Sequence, residues 1–457
     1  MRGVIILVQK IFKRQNLFFK LNPAHILVLG FLGLILIGTF VLMLPISTQD
    51  RHHLSFIDAL FESTSAVCVT GLAVVDTGTT FTLFGQVVLL ILIQLGGWGF
   101  MTSGILMFLI LGKKIGLRKR ILLQESINSL SLQGIIKLVQ RIIVITLATE
   151  LLGALVLAIR WSYEMPWQKA IYYGIFHSIS AFNNAGFGLE PDSLSKWVGD
   201  PIVNIMITVL FMTGGIGFTV ILDIFEKKNL RKLSLHTKLV LGGTIFLNTI
   251  SLFVILGLEY HNPSTLGSLP LGDKLWAAYF QGTVPRTAGF NTIDIGQMTI
   301  SSQVYIIGLM FIGASPGSTG GGIKVTTAIL LLLSLWAVLK NKEDINVFKK
   351  RIPQGQVNRA LSIATAAILF IFIIFFLLTI TEKGAELSKI LFETVSAFGT
   401  VGLSAGFTGD LTPTGRILIT LMMFIGRLGP LTMAFALAMS GNKNSKVRYA
   451  EEKILIG

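Results

Sequence analysis

Apolar residues along this chain gather into runs of roughly the length a bilayer core demands, with short polar and basic stretches between them. The runs are Ile26 to Leu44, Leu83 to Leu111, Ile142 to Ile159, Ile202 to Ile221, Leu239 to Leu258, Val304 to Ile312, Val325 to Leu339, Ala360 to Ile380 and Ile417 to Met439. A helix crosses a hydrocarbon core with about 20 predominantly apolar residues, so the recurrence predicts an all-α polytopic membrane protein. The first run follows a basic segment (Lys10, Lys13, Arg14, Lys20), but no small-residue cleavage site follows it and Pro45 ends it. It reads as a retained helix rather than a signal peptide.

Between the long runs lie shorter helix-forming stretches of about ten residues, starting near Ile57, Ala170, Lys274 and Leu387. They are too short to cross a bilayer and are expected to enter it and turn back. Three share a pattern: Phe61-Glu62-Ser63-Thr64-Ser65-Ala66, Phe176-His177-Ser178-Ile179-Ser180-Ala181 and Phe392-Glu393-Thr394-Val395-Ser396-Ala397. Gly71, Gly186 and Gly402 each stand nine residues after the Glu or His. Gly289 takes that place in a divergent copy that begins Tyr279-Phe280. The four glycines are spaced by 115, 103 and 113 residues. This internal repetition divides the chain into repeats over 1–112, 113–226, 227–340 and 341–457.

The four sites read Val69-Thr70-Gly71-Leu72, Asn184-Ala185-Gly186-Phe187, Thr287-Ala288-Gly289-Phe290 and Thr400-Val401-Gly402-Leu403. Broken backbone at membrane depth is tolerated only against protein or a water-filled path. Glycine permits conformations that turn successive carbonyl oxygens inward, and a ring of such oxygens replaces the hydration shell of a cation. The C-terminal, partly negative ends of the short helices would aim at the same point. The expected architecture is therefore four helix, re-entrant pore loop, helix repeats around a pseudo-fourfold central pore for cations.

Composition agrees with this reading: 52% of the 457 residues are hydrophobic and 13% charged, against about 25% charged in a soluble domain. The net charge of +15 raises nucleic acid as a ligand, but 27 of the 38 Lys and Arg residues lie in 1–24, 112–142, 225–238, 339–360 and 441–457. These segments are one repeat apart, which is the positive-inside pattern and places both termini in the cytoplasm, with no nucleic-acid partner. The single Cys68 forms no intramolecular disulfide, and six scattered histidines lack metal-ligand spacing.

These residues resemble the Trk/Ktr/HKT superfamily of potassium transporters, and specifically the Ktr membrane subunit, over almost the whole chain. The strongest matches are Thr70-Gly71, Ala185-Gly186, Thr287-Ala288-Gly289-Phe290, Val401-Gly402 and the run Gly313-Ala314-Ser315-Pro316-Gly317-Ser318-Thr319-Gly320-Gly321-Gly322-Ile323-Lys324. The resemblance implies a bacterial cell-membrane protein with one filter glycine per repeat, a homodimer, and a cytosolic ring of nucleotide-binding regulatory subunits. Potassium would occupy the filter, with sodium as a candidate activator, ATP or ADP on the ring, and no covalently bound cofactor. It also implies that the Gly313 to Gly322 run is an intramembrane gate and that Arg427 lies in the permeation path and opposes cation passage, with Lys324 beside it.

Other residues carry simpler expectations. The segment 317–324 fails as a phosphate-binding loop because Ile323 stands where lysine is required, so no ATP hydrolysis and no enzyme activity is expected. Glu62 and Glu393 are expected to cap their short helices, His177 to be structural, and Arg286 to brace the third filter segment through backbone carbonyls or a pore-helix carboxylate. Gly96-Gly97 and Gly214-Gly215-Ile216-Gly217 are expected to permit close packing. Channel-like potassium uptake is the leading function. A sodium- or proton-coupled secondary transporter is the alternative, but no intramembrane Asp or Glu cluster stands out to serve it. A receptor or scaffold is the reading outside transport, and four backbone breaks speak against it.

Overall fold

The computed structural model describes residues 23–49, 53–99, 135–342 and 344–437. The basic segments 1–24 and 112–142 fall mostly outside these residues, and the segment 441–457 and both termini do so entirely. The later part of the run expected to reach Leu111 also lies outside them.

The chain is almost wholly helical, and its elements recur in a fixed order of long helix, shorter helix, glycine segment and medium helix. The first set is α1 (Pro23–Leu42), α2 (Phe56–Val67) and α3 (Leu83–Trp98). The second is α4 (Ile135–Trp161), α5 (Trp167–Phe182), α6 (Pro201–Ile216) and α7 (Phe218–Lys227). The third is α8 (Leu235–Glu259), α9 (Leu271–Thr283), α10 (Ile300–Phe311) and α11 (Val325–Leu339). The fourth is α12 (Gln354–Thr381), α13 (Leu387–Gly399), α14 (Pro413–Leu428) and α15 (Pro430–Leu437). A two-residue ribbon, Asn346–Val347 against Lys350–Arg351, precedes α12.

Among the described residues, four helices are long and apolar enough to cross a membrane, in α1, α4, α8 and α12. Their outward faces carry exposed Ile37, Leu151, Phe253 and Phe372, as a lipid-facing surface requires. Helix starts are set by local chemistry. Ser55, Asp200, Ser234, Thr299 and Thr412 each accept a backbone N–H in the first turn that follows them, and Pro201 and Pro413 occupy positions where no N–H is needed.

Several expected spans are not continuous. The run Ile202 to Ile221 bends by 94° between α6 and α7, where Gly217 takes φ 97°. The run Ile417 to Met439 breaks at Gly429, with φ 87°, just before Pro430 opens α15. The run Val304 to Ile312 belongs to α10, a twelve-residue helix that ends where the Gly313 to Lys324 loop begins. Apolarity fixed the depth of these segments, whereas glycine at positive φ and proline fixed their breaks.

The medium helices pack on the C-terminal ends of the short ones through glycine. A Cβ at Gly96 would overlap Val67 O, one at Gly214 would overlap Phe182 O, and one at Gly426 would overlap Phe398 O. Each carbonyl belongs to the last turn of a short helix in the same set, so the expectation of close packing holds at Gly96 and Gly214, and Gly426 packs in the same way. Substituting Gly426→Val is expected to destabilise the protein by about 1–3 kcal/mol, as overpacking does. The check is a lowered melting temperature in detergent, with Ile417→Val on the exposed side of α14 as a neutral control.

Candidate ion-permeation site

The four glycine segments leave the short helices in the same way. The N–H of Thr70 bonds Ser65 O at 2.8 Å, that of Ala185 bonds Ser180 O at 2.8 Å, and that of Val401 bonds Ser396 O at 2.9 Å. The third copy differs, with Ala288 N–H on Val284 O at 3.0 Å. In every segment two residues lie at positive φ with one between them: Val69 and Gly71, Asn184 and Gly186, Thr287 and Gly289, Thr400 and Gly402. For valine and threonine this is a true outlier, held only where surroundings over-determine it. Alternation of this kind prevents successive peptide planes from flipping as they do in a strand.

The segments also meet one another in cyclic order. A Cβ on Gly71 would overlap Ala185 O, one on Gly186 would lie 3.1 Å from Ala288 O, one on Gly289 would lie 2.7 Å from Val401 O, and one on Gly402 would overlap Thr70 O. Each glycine thus abuts the carbonyl just ahead of the next glycine. The structure brings together all twelve residues singled out in the sequence: Val69, Thr70, Gly71, Asn184, Ala185, Gly186, Thr287, Ala288, Gly289, Thr400, Val401 and Gly402.

The loop from Gly313 to Lys324 packs against the first residues of three of these segments. Gly321 N–H donates to Thr400 Oγ1 at 3.0 Å, Thr319 Oγ1 donates to Asn184 Oδ1 at 2.7 Å, and Asn184 Nδ2 donates to Thr287 Oγ1 at 3.1 Å. A Cβ on Gly320 would overlap Thr287 Oγ1. The loop is stitched to the broken end of α6: Ser315 N to Gly215 O at 3.0 Å, Thr319 N to Gly214 O at 3.2 Å, and Phe218 N to Gly317 O at 2.9 Å. Pro316 O lies against Gly217, Ser318 Oγ closes on Ser315 O at 2.6 Å, and the loop's own ends join through Gly313 N to Ile323 O (2.8 Å) and Val325 N to Ala314 O (3.1 Å). Gly322 supplies a positive φ of 68°.

Two cations hold the loop from its other side. Lys324 Nζ donates to Gly320 O at 2.6 Å and to Gly321 O at 3.2 Å. Arg427 donates to Thr319 O and Gly96 O, and to Gly97 O at 3.4 Å. Neither forms an ion pair among the described residues. Both line a cavity of about 250 Å³ with Gly97, Trp98, Ser318 and Arg359, and no residue of the four glycine segments lines it.

Three expectations are corrected here. Glu62 and Glu393 lie inside α2 and α13 rather than at their starts. Glu62 Oε1 accepts Val74 N–H at 2.8 Å and Val75 N–H at 3.3 Å; Glu393 accepts Ser404 Oγ at 2.9 Å and the Thr408 hydroxyl. The carboxylates tie down the chain that follows the glycine, which is a different job from capping. Among the described residues Arg286 reaches neither a carboxylate nor a backbone carbonyl. Its guanidinium donates to Asn248 Oδ1 and Thr244 Oγ1 of α8, both at 3.2 Å. His177 is buried with Nδ1 on Tyr173 O at 2.9 Å and its ring against Trp161 and Phe290, in keeping with a structural role.

Outside the spans, Glu190 follows the second glycine segment. Burial acts to raise its carboxyl, but hydrogen bonds from Lys196 and Tyr173 outweigh that and hold it below the usual carboxylate range.

Residues 19–447 match the TrkH family, described as cation transport protein. This chain belongs to that family. The chain is 49% identical over 438 residues to the Ktr system potassium uptake protein B of Bacillus subtilis strain 168, covering 96% of this chain and 97% of that one. It is 41% identical over 440 residues to the Ktr system potassium uptake protein B of Vibrio alginolyticus, covering 96% of each. The crystal structure of the potassium transporter TrkH from Vibrio parahaemolyticus superposes with a TM-score of 0.70 at 22% identity, over 90% of this chain and 83% of that one. That likeness establishes the fold.

For this TrkH-family chain, sequence reasoning named the residues around the glycines but missed Glu150. It is buried in α4 and accepts Asn183 Nδ2 at 3.0 Å. A lone acid within the run Ile142 to Ile159 was the available signal. The Glu62 tether is testable without transport: Glu62→Leu strands two backbone N–H groups and is expected to destabilise by about 2–5 kcal/mol. Glu62→Gln, which keeps an acceptor, should lose less than half of that in the same thermal melt.

Proposed function

We propose that this protein carries potassium ions across a bacterial cell membrane through a channel-like pore. The observation that carries the reading is the closed cycle of four glycine segments, each with the same pair of positive-φ residues. The family, the relatives' potassium uptake and the fold of the TrkH neighbour support it. In this reading the four helix, pore loop, helix sets surround one path, and carbonyls of Val69 to Gly71, Asn184 to Gly186, Thr287 to Gly289 and Thr400 to Gly402 replace water around the ion. Potassium is cargo, and no covalent chemistry is required of the chain.

The loop Gly313 to Gly322 is the gate. It touches Asn184, Thr287 and Thr400 and also borders the cavity, which supports the reading that an ion leaving the filter meets it first. Arg427 and Lys324 hold its carbonyls and set positive charge in the exit, which opposes a cation until the loop shifts. Its bonds to Gly214, Gly215 and Phe218 couple that shift to the break between α6 and α7. A cytosolic nucleotide-binding partner acting through α7, and a homodimeric assembly, complete the proposal. Sodium is a candidate activator in this reading.

Potassium and sodium entry are to be measured in cells stripped of their own potassium uptake, with the regulatory partner co-expressed. Gly402→Ser forces a side chain into φ 88° and onto Thr70 O. It is expected to lower the potassium-to-sodium preference at least tenfold, or about 1.4 kcal/mol. Unchanged preference in a membrane-inserted mutant would remove Gly402 from the filter. Arg427→Gln is expected to raise potassium entry several-fold, read as a higher maximal rate at an unaltered apparent affinity.

A further inference from the structure

One buried acid has no place in the ion path described above. Glu150 sits in the middle of α4 at 5% exposure, and among the described residues it forms no ion pair. Asn183 Nδ2 lies among three acceptors: Glu150 Oε1 at 3.0 Å, Gln94 Oε1 of α3 at 3.0 Å and Ile179 O at 2.9 Å. Asn183 directly precedes Asn184, the first residue of the second glycine segment. One turn from Glu150 on the same face of α4, Thr146 is fully buried and its hydroxyl has no partner. One turn further, Ile142 lines the cavity that Lys324 and Arg427 border, as does Trp98 of α3, whose indole N–H is also buried without a partner. A stripe of unpaired polar groups therefore leads from the cavity toward Glu150.

We infer that Glu150 is a proton-binding site, reached from the cavity along Trp98 and Thr146, whose occupancy adjusts how tightly the second glycine segment holds the transported cation. The inference rests on the ion-path reading above and adds a regulator to it. A lone carboxylate in a bilayer is strongly destabilised unless something neutralises it. A metal ion would have to occupy the point where Asn183 Nδ2 now sits, and no group of three or more acidic, His or Cys side chains placed to hold a metal exists among the described residues. A proton needs no such cage.

The surroundings contain little else that titrates or is charged. From α5, Ser178 Oγ donates to Glu150 O at 2.6 Å, and His177 beside it is turned into its own aromatic cluster. From α3, Gln94 is neutral, and Arg427 reaches that helix only at the Gly96 and Gly97 carbonyls. From α6, Leu210 packs one turn along at Gly153. Loss of the proton leaves negative charge one residue from Asn184, which favours the cation there. Apparent affinity for potassium should then rise with pH.

The test uses the purified full chain in proteoliposomes with its regulatory partner, and measures potassium KM and maximal rate from acid to alkaline internal pH. The wild type is expected to show KM falling about threefold or more as pH rises, consistent with a charge acting across a few ångströms of protein. Glu150→Gln should hold the acid-side KM at every pH, and Glu150→Asp should restore a step with a moved midpoint. Infrared difference spectra of the same protein between acid and alkaline pH should contain a protonated-carboxyl band that Glu150→Gln removes. A pH profile that Glu150→Gln leaves intact overturns the inference while sparing the transport reading. If no potassium enters at all the transport reading fails, and the infrared band alone then decides whether Glu150 binds a proton.

Discussion

Every peptide group placed at membrane depth must find a partner, and this requirement governs the structure more than any single contact does. The long helices meet it internally. The four glycine segments meet half of it: the N–H of Thr70, Ala185, Ala288 and Val401 turn back into the short helices. Residues at positive φ flank each of those four, and the carbonyl ahead of each glycine abuts its neighbour in the cycle. Among the described residues no backbone donor bonds those carbonyl oxygens, which is why the proposed function rests on the backbone rather than on any side chain.

Side chains then hold the backbone in that state. Glu62 and Glu393 occupy one position of the repeated motif and bond the chain after the glycine. His177 has the same position and bonds its own helix instead. In the third copy Gln281, which follows Phe280 as Glu62 follows Phe61 but stands eight residues ahead of its glycine, is fully buried with neither side-chain atom partnered among the described residues. The four segments are therefore braced unequally: a carboxylate ties the chain after the glycine in the first and fourth sets, Ser180 Oγ donates to Phe187 O at 2.8 Å in the second, and Arg286 donates to α8 in the third. The loop Gly313 to Lys324 makes its side-chain hydrogen bonds to Asn184 and Thr400 and presses Gly320 on Thr287, so it leans partly on the two segments without a carboxylate tether.

Much of this was legible in the sequence. Hydrophobic period and length gave the long helices, and fixed spacing from Phe-Glu or Phe-His to glycine gave the four segments, because both signals are local and repeat. The bends at Gly217 and Gly429 were not legible, since an apolar run through a glycine reads the same whether straight or turned by 94°. The partners of Glu62, Arg286 and Glu150 were hidden for another reason. Each lies on an element 12 or more residues away, and a sequence read one segment at a time assigns such a charge to its nearest helix end.

The placement of buried charge separates two kinds of polar residue. Lys324 and Arg427 hold carbonyls of the loop and border the cavity, so any loop movement that breaks those bonds can hydrate both cations at once. Arg286 borders only a small pocket beside Gly215 and Ala314. It is 7% exposed, bonds only the neutral Thr244 and Asn248, and has an unpartnered Nε. A buried cation without a counter-charge is strongly unfavourable on its own, so its bonds to Asn248 and Thr244 tie the third segment to α8 at a cost that a neutral residue would not carry. The loop is bonded instead to the bend at Gly217, through Phe218 N–H and the Gly214 and Gly215 carbonyls, so the third segment and the loop that packs on it are anchored on different elements.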